Sequence, residues 1–193
     1  LGQILSEEKA VLYLNLEEYS GFEELMQKNF SCTLSDLLYY VRQKDPGIII
    51  RLNSMVQNVG KLDFVPPVPS PEDIRGSSWQ DWEYLFQELM LHGSYEVIVI
   101  DFGNGTEELF QLLDMCQVIY MPVCTDPVSK GKLRQFENFL NKRDYSEILT
   151  KTVKMHLPFF QDGSETDNYP ESLVWSPLGA YVRELLGKGD SYE

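Results

Sequence analysis

The chain has 193 residues, 30 acidic against 16 basic side chains, and a formal charge of −14. That balance opposes phosphate backbones and anionic lipid surfaces, so nucleic acid is not an expected partner. No apolar run approaches the ~20 residues that cross a bilayer, and the length suits one domain with a substantial core.

Residues 1–8 read as the last turns of a helix begun before Leu1. Lys9 to Leu16 reads as a buried strand that ends at Asn15, Glu17 and Glu18, with Gly21 in the turn beyond. Amide and acidic groups at a strand's carboxyl end suit a metal or nucleotide site, and equally a solvated loop. Gly21 to Gln43 is mostly helical, with Ser35-Asp36 as a cap for the amphipathic run from Leu37. Asp45-Pro-Gly47 breaks that helix, and the apolar run Ile48 to Leu52 predicts a short strand.

Leu62 to Val65 predicts a further strand before the prolines at 66, 67, 69 and 71. These remove donors and form a connection. Ser70-Pro71-Glu72-Asp73 opens a helix with a cap, a proline in the first turn and two acids. Trp79, Trp82, Leu85, Phe86, Leu89 and Met90 then recur at helical spacing, the pattern of a core-facing stripe. His92-Gly93 closes it.

The stretch Val97-Ile-Val-Ile-Asp101 predicts a parallel strand covered on both faces. Asp101 ends it, with Gly103 and Gly105 in the turn. In open α/β sheets the ligand crevice lies beyond the strands' carboxyl ends. An acid there either caps the turn or holds a metal-bound water beside a phosphate.

Leu109 to Met115 suits a helix, and Val118 to Cys124 a strand that Pro122 either ends or bulges. Val128 to Asn141 reads as a helix whose Lys130, Lys132 and Arg134 form a solvated basic face or, less simply, an anion site. Tyr145 to Met155 begins helical and ends β-like. Residues 162–171 read as loop. Ser176-Pro177 caps a last helix, Leu178 to Leu186, closed by Gly187, and the tail from Lys188 should fray. Cys32, Cys116 and Cys124 lie in or beside apolar segments, without metal spacing, and read as buried thiols of a reducing compartment.

Strands alternating with helices predict an α/β fold, a doubly wound, mostly parallel sheet with helices on both faces. The best-marked motifs are Val11-Leu-Tyr-Leu-Asn-Leu-Glu17, Val65-Pro-Pro with Ser70-Pro-Glu-Asp73, Val97-Ile-Val-Ile-Asp101, Val123-Cys-Thr-Asp-Pro127 and Ser176-Pro-Leu-Gly179. In that order they resemble the MinD/ParA class of deviant-Walker ATPases, a P-loop NTPase-like fold. Within the class they are most similar to pilus-assembly localisation proteins of the TadZ/CpaE type.

The resemblance implies that Asp101 sits at the Walker B position and helps hold a magnesium-bound water. It implies that Asn15 and Glu17 match the acid pair after the family's second strand, with Asn15 in place of the acid that orients the attacking water. An amide cannot take a proton. Gly103, Gly105 and Pro158 would contact nucleotide, with ATP and magnesium as cofactors. It also implies a homodimer in the cytoplasm, recruited to a cell pole or the inner membrane through pilus or secretion machinery, without direct membrane insertion. The expected function is a nucleotide-dependent localisation factor of the ATPase type; the alternative is a non-catalytic pseudo-ATPase interaction module. No G-x-x-x-x-G-K-[ST] phosphate loop occurs in the sequence. The expectation is therefore a single ATPase-like domain, 1–193, that forms the C-terminal portion of a longer chain and lacks the phosphate-loop strand.

Overall fold

The computed structural model describes residues 1–103, 105–158 and 169–189. Contacts divide the chain into two compact units, Leu1–Glu107 with Asp162–Glu193, and Glu108–Gln161.

The larger unit begins with helix α1 (Gly2–Leu5), strand β1 (Val11–Leu16), and helices α2 (Phe22–Met26), α3 (Leu34–Arg42) and α4 (Ile48–Met55). Strands β2 (Gln57–Val59) and β3 (Leu62–Val65), helices α5 (Pro71–Arg75) and α6 (Trp79–His92), and strand β4 (Val97–Phe102) follow. The sheet runs β2-β3-β1-β4; β1 is parallel to both β3 and β4, and β2 is antiparallel to β3. Helices lie on both sides of this mostly parallel sheet, as the sequence predicts.

Residues Leu12, Leu14 and Leu16 of β1 are fully buried, as is Val11 to within 1%. Burial at consecutive positions means both faces are covered, the condition of an interior parallel strand. Over the sheet, α3, α4 and α6 pack on one another, with Leu37, Leu38, Leu52, Trp82 and Leu85 sealed inside. A capping box starts α3: the Ser35 N–H donates to Thr33 Oγ1 at 3.3 Å, and the Thr33 N–H donates to Asp36 Oδ2 at 2.8 Å. Ser78 and Asp81 repeat the device at the start of α6.

The structure corrects the strand predicted at Ile48 to Leu52: these are the first five residues of helix α4. Three consecutive isoleucines carry β-propensity, but the Asp45 carboxylate accepts the Gly47 N–H at 2.7 Å and the Asp45 carbonyl accepts the Ile48 N–H at 3.1 Å. That turn launches a helix, which buries Ile48, Leu52 and Met55 on one side and leaves Ile50 75% exposed. Strand β2 has no counterpart in the sequence reading. It forms because Gly60, at φ +60°, turns the chain so that Gln57 pairs with Phe64.

Strand β4 is parallel as predicted, but it is not covered on both faces. Its apolar residues Val97 to Ile100 are half-buried. Among the described residues its hydrogen bonds run to β1 along one edge only.

The smaller unit contains α7 (Leu109–Met115), β5 (Ile119–Pro122), α8 (Pro127–Lys142), α9 (Ser146–Thr150) and β6 (Thr152–Met155). Parallel strands β5 and β6 form its sheet, and Pro122 ends β5 opposite Met155. Asp126 caps α8, accepting the Val128 and Ser129 N–H groups at 3.0 Å each, so the helix begins one residue before the predicted Val128. Phe110 packs its ring against Phe136, Phe139 and Tyr145. Lys130, Lys132 and Arg134 are exposed.

The final segment belongs to the larger unit: α10 (Tyr169–Ser172), a 3-10 turn (Leu173–Trp175) and α11 (Pro177–Gly189). Residues 169–171, predicted as loop, are helical, and α11 continues through Gly187 instead of stopping there. The remainder of the predicted loop, residues 162–168, and the tail 190–193 lie outside the described residues.

Candidate functional site

Parallel pairing brings the carboxyl ends of β1 and β4 to the same level. The register places Asn15 directly beside Asp101, and Leu16 beside Phe102. Side chains two apart on a strand share a face, so Tyr13 joins Asn15 next to Asp101.

A directed hydrogen-bond chain links them. The Glu17 backbone N–H donates to Asn15 Oδ1 at 2.9 Å. Asn15 Nδ2 donates to the Tyr13 hydroxyl at 3.1 Å. The Tyr13 hydroxyl donates to Asp101 Oδ2 at 2.9 Å. Asn15 is buried, at 2% exposure, while Asp101 and Glu17 reach solvent. The Tyr13 ring lies parallel to Phe22, with centroids 6.0 Å apart. Burial first, and then the Asp101 charge, pushes the Tyr13 phenol far above its usual range, with the Asn15 bond opposing.

The loops beyond both strands touch. The Gly103 N–H donates to the Leu16 carbonyl at 3.3 Å. A Cβ on Gly103 would fall 2.8 Å from the Glu17 Cα, so only glycine allows this backbone approach. A Cβ on Gly105 would fall 2.6 Å from Glu18 Cγ. The Glu18 carboxylate faces Arg75 at 3.8 Å. The Thr106 hydroxyl is buried, with no hydrogen-bond partner among the described residues.

Asp101, Asn15, Glu17, Gly103 and Gly105 therefore converge at one rim of the larger unit's sheet. Pro158 lies in the smaller unit, beyond the end of β6. Tyr13 and Thr106 escaped the sequence reading, whereas Glu18 stood there among the groups that end β1. The period of two along β1 could have flagged Tyr13, a phenol on the same face as Asn15 in an otherwise aliphatic run.

Among the described residues no cluster of three His, Cys, Asp or Glu side chains could chelate a metal ion. The donor set fits a magnesium that arrives with its own waters on a nucleotide's phosphates, touched through one carboxylate, and not a protein-chelated ion.

The mostly parallel sheet with helices on both sides matches the fold of ParA/MinD P-loop ATPases. A ParA family ATPase from Chlorobium tepidum TLS superimposes with a TM-score of 0.66 at 15% identity, over 91% of this chain and 84% of that one. MinD cell division protein from Aquifex aeolicus gives 0.58 at 12% identity, over 82% and 61%. A putative plasmid partition protein from Borrelia burgdorferi B31, bound to AMPPNP, gives 0.54 at 15% identity, over 95% and 90%. At these identities the likeness is one of fold. No protein-family model matches the sequence, and no curated protein matches it.

Proposed function

We propose that the chain is part of a nucleotide-dependent positioning factor, one that localises or assembles a pilus or secretion machine in the manner of TadZ/CpaE proteins. The observation that carries this reading is Asp101 at the carboxyl end of β4, in register with Asn15 of the parallel strand β1. A carboxylate there can hold a magnesium-bound water beside a phosphate. Asn15 and Glu17 line the adjacent strand end, Gly103 lets the two loops close on each other, and Gly105 leaves room for the Glu18 side chain. ATP with magnesium is the proposed ligand, and a homodimer favoured by ATP the proposed working state.

The reading includes a domain proposal. The chain forms the C-terminal portion of a longer ATPase-like domain, and an upstream phosphate-loop strand pairs along β4. Support comes from the half-buried Val97 to Ile100, whose second edge carries no strand among the described residues. No described helix is long and apolar enough to cross a membrane.

The test is equilibrium binding of ATP to the longer chain in magnesium buffer. Binding that Asp101→Ala weakens supports the reading; no affinity rejects it.

Asn15 favours a second reading, a pseudo-ATPase that binds partners without turnover. Its amide can orient a water but cannot take a proton. Asp101-dependent ATP hydrolysis would reject this version.

A further inference from the structure

The chain from Glu17 to Asp101 has a direction, and the direction has a consequence at Asp101. The Glu17 N–H fixes the Asn15 amide with its oxygen inward. Its NH₂ must then face Tyr13 and donate to the phenol oxygen. Tyr13 has one proton, and the geometry sends it to Asp101 Oδ2. One of the two Asp101 carboxylate oxygens, Oδ2, is therefore already taken by a neutral donor.

We propose that Tyr13 is a latch on Asp101. Its hydroxyl holds the carboxylate away from magnesium–nucleotide until the ligand displaces it, and Asn15 sets the direction of the bond. This rests on the nucleotide-site reading above and names a control element of that site. Tyr13 is a positioning residue that acts through Asp101. An aspartate at position 15 would offer Tyr13 a competing acceptor, so the amide belongs to the same device.

Tyr13→Phe removes the hydroxyl and keeps the ring that packs on Phe22. A hydrogen bond to a charged group is strong enough that its loss should raise affinity for manganese–AMPPNP by about tenfold. The measurement is manganese electron paramagnetic resonance on the full chain, as a double-mutant cycle with Asp101→Asn. Asp101→Asn should weaken binding in the wild-type background, where the carboxylate is partly held, but by less than in Tyr13→Phe. In the Tyr13→Phe background it should cost most of the gained affinity.

A structural defect alone would not raise affinity. A second readout is the tyrosine band in near-ultraviolet circular dichroism: manganese–AMPPNP should shift it in wild type and leave it unshifted in Tyr13→Phe. Wild-type binding that Tyr13→Phe leaves equal or weaker overturns the latch and leaves the nucleotide site standing. Absence of binding in wild type and variant alike overturns both.

Discussion

Asn15 and Asp101 are Cα partners on adjacent parallel strands, one buried and one open to solvent. The buried amide uses both its ends, one on the Glu17 N–H and one on Tyr13. Asn15→Leu matches its size and leaves the Glu17 N–H without a partner. We expect a loss of about 1–3 kcal/mol, read from urea denaturation. An unchanged midpoint would mean that solvent supplies the missing partner.

Gly103 and Gly105 should respond differently to alanine. At Gly103 the new methyl meets the Glu17 Cα at 2.8 Å and the Leu16 carbonyl oxygen at 3.1 Å, both backbone. At Gly105 it meets the Glu18 side chain, which can turn aside. Gly103→Ala should cost about 1–3 kcal/mol by overpacking, and Gly105→Ala clearly less. Thermal melts of the two variants provide the comparison, and equal losses would refute the assignment.

The Tyr95 hydroxyl donates to Asp63 Oδ2 at 2.9 Å. Burial first, then this bond and the Asp63 charge, raise the phenol well above its usual range. The folded pKa lies above the unfolded value of about 10. The contribution is thus fully present below pH ~10 and is lost as pH rises from there towards the folded value. Stability should decline in alkali, and Tyr95→Phe should make that decline shallower. Denaturation midpoints measured at pH 9 and above decide it.

Among the thiols, Cys124 is exposed, while Cys32 and Cys116 are half-buried. The Cys116 Sγ donates to the Leu112 carbonyl at 3.3 Å. Burial pushes this thiol up, with Lys151 opposing. Thiolate is the reactive form. A thiol reagent at pH 8 should therefore modify Cys124 first and Cys116 slowly until denaturant is added. Fast labelling of Cys116 in the native protein, located by peptide mapping, would contradict this.

Local pattern alone determined much of the framework. The largely apolar stretches at Val11 to Leu16, Leu62 to Val65 and Val97 to Ile100 identify their strands, because strands of a sheet packed between helices are rich in apolar, β-branched residues. The spacing of Trp82, Leu85, Phe86 and Leu89 identifies α6 for the analogous reason at period 3.6. Asp101 at a strand's carboxyl end was legible in the same way.

Only the tertiary structure decided the rest. Ile48 to Leu52 became helix because a turn at Asp45 and burial of one side outweighed the β-propensity of isoleucine. The short strand β2 exists only because β3 lies beside it. The bond from Tyr13 to Asp101 joins residues 88 positions apart. No window of sequence contains such a contact, because the register of two parallel strands fixes it, and packing across the whole sheet sets that register.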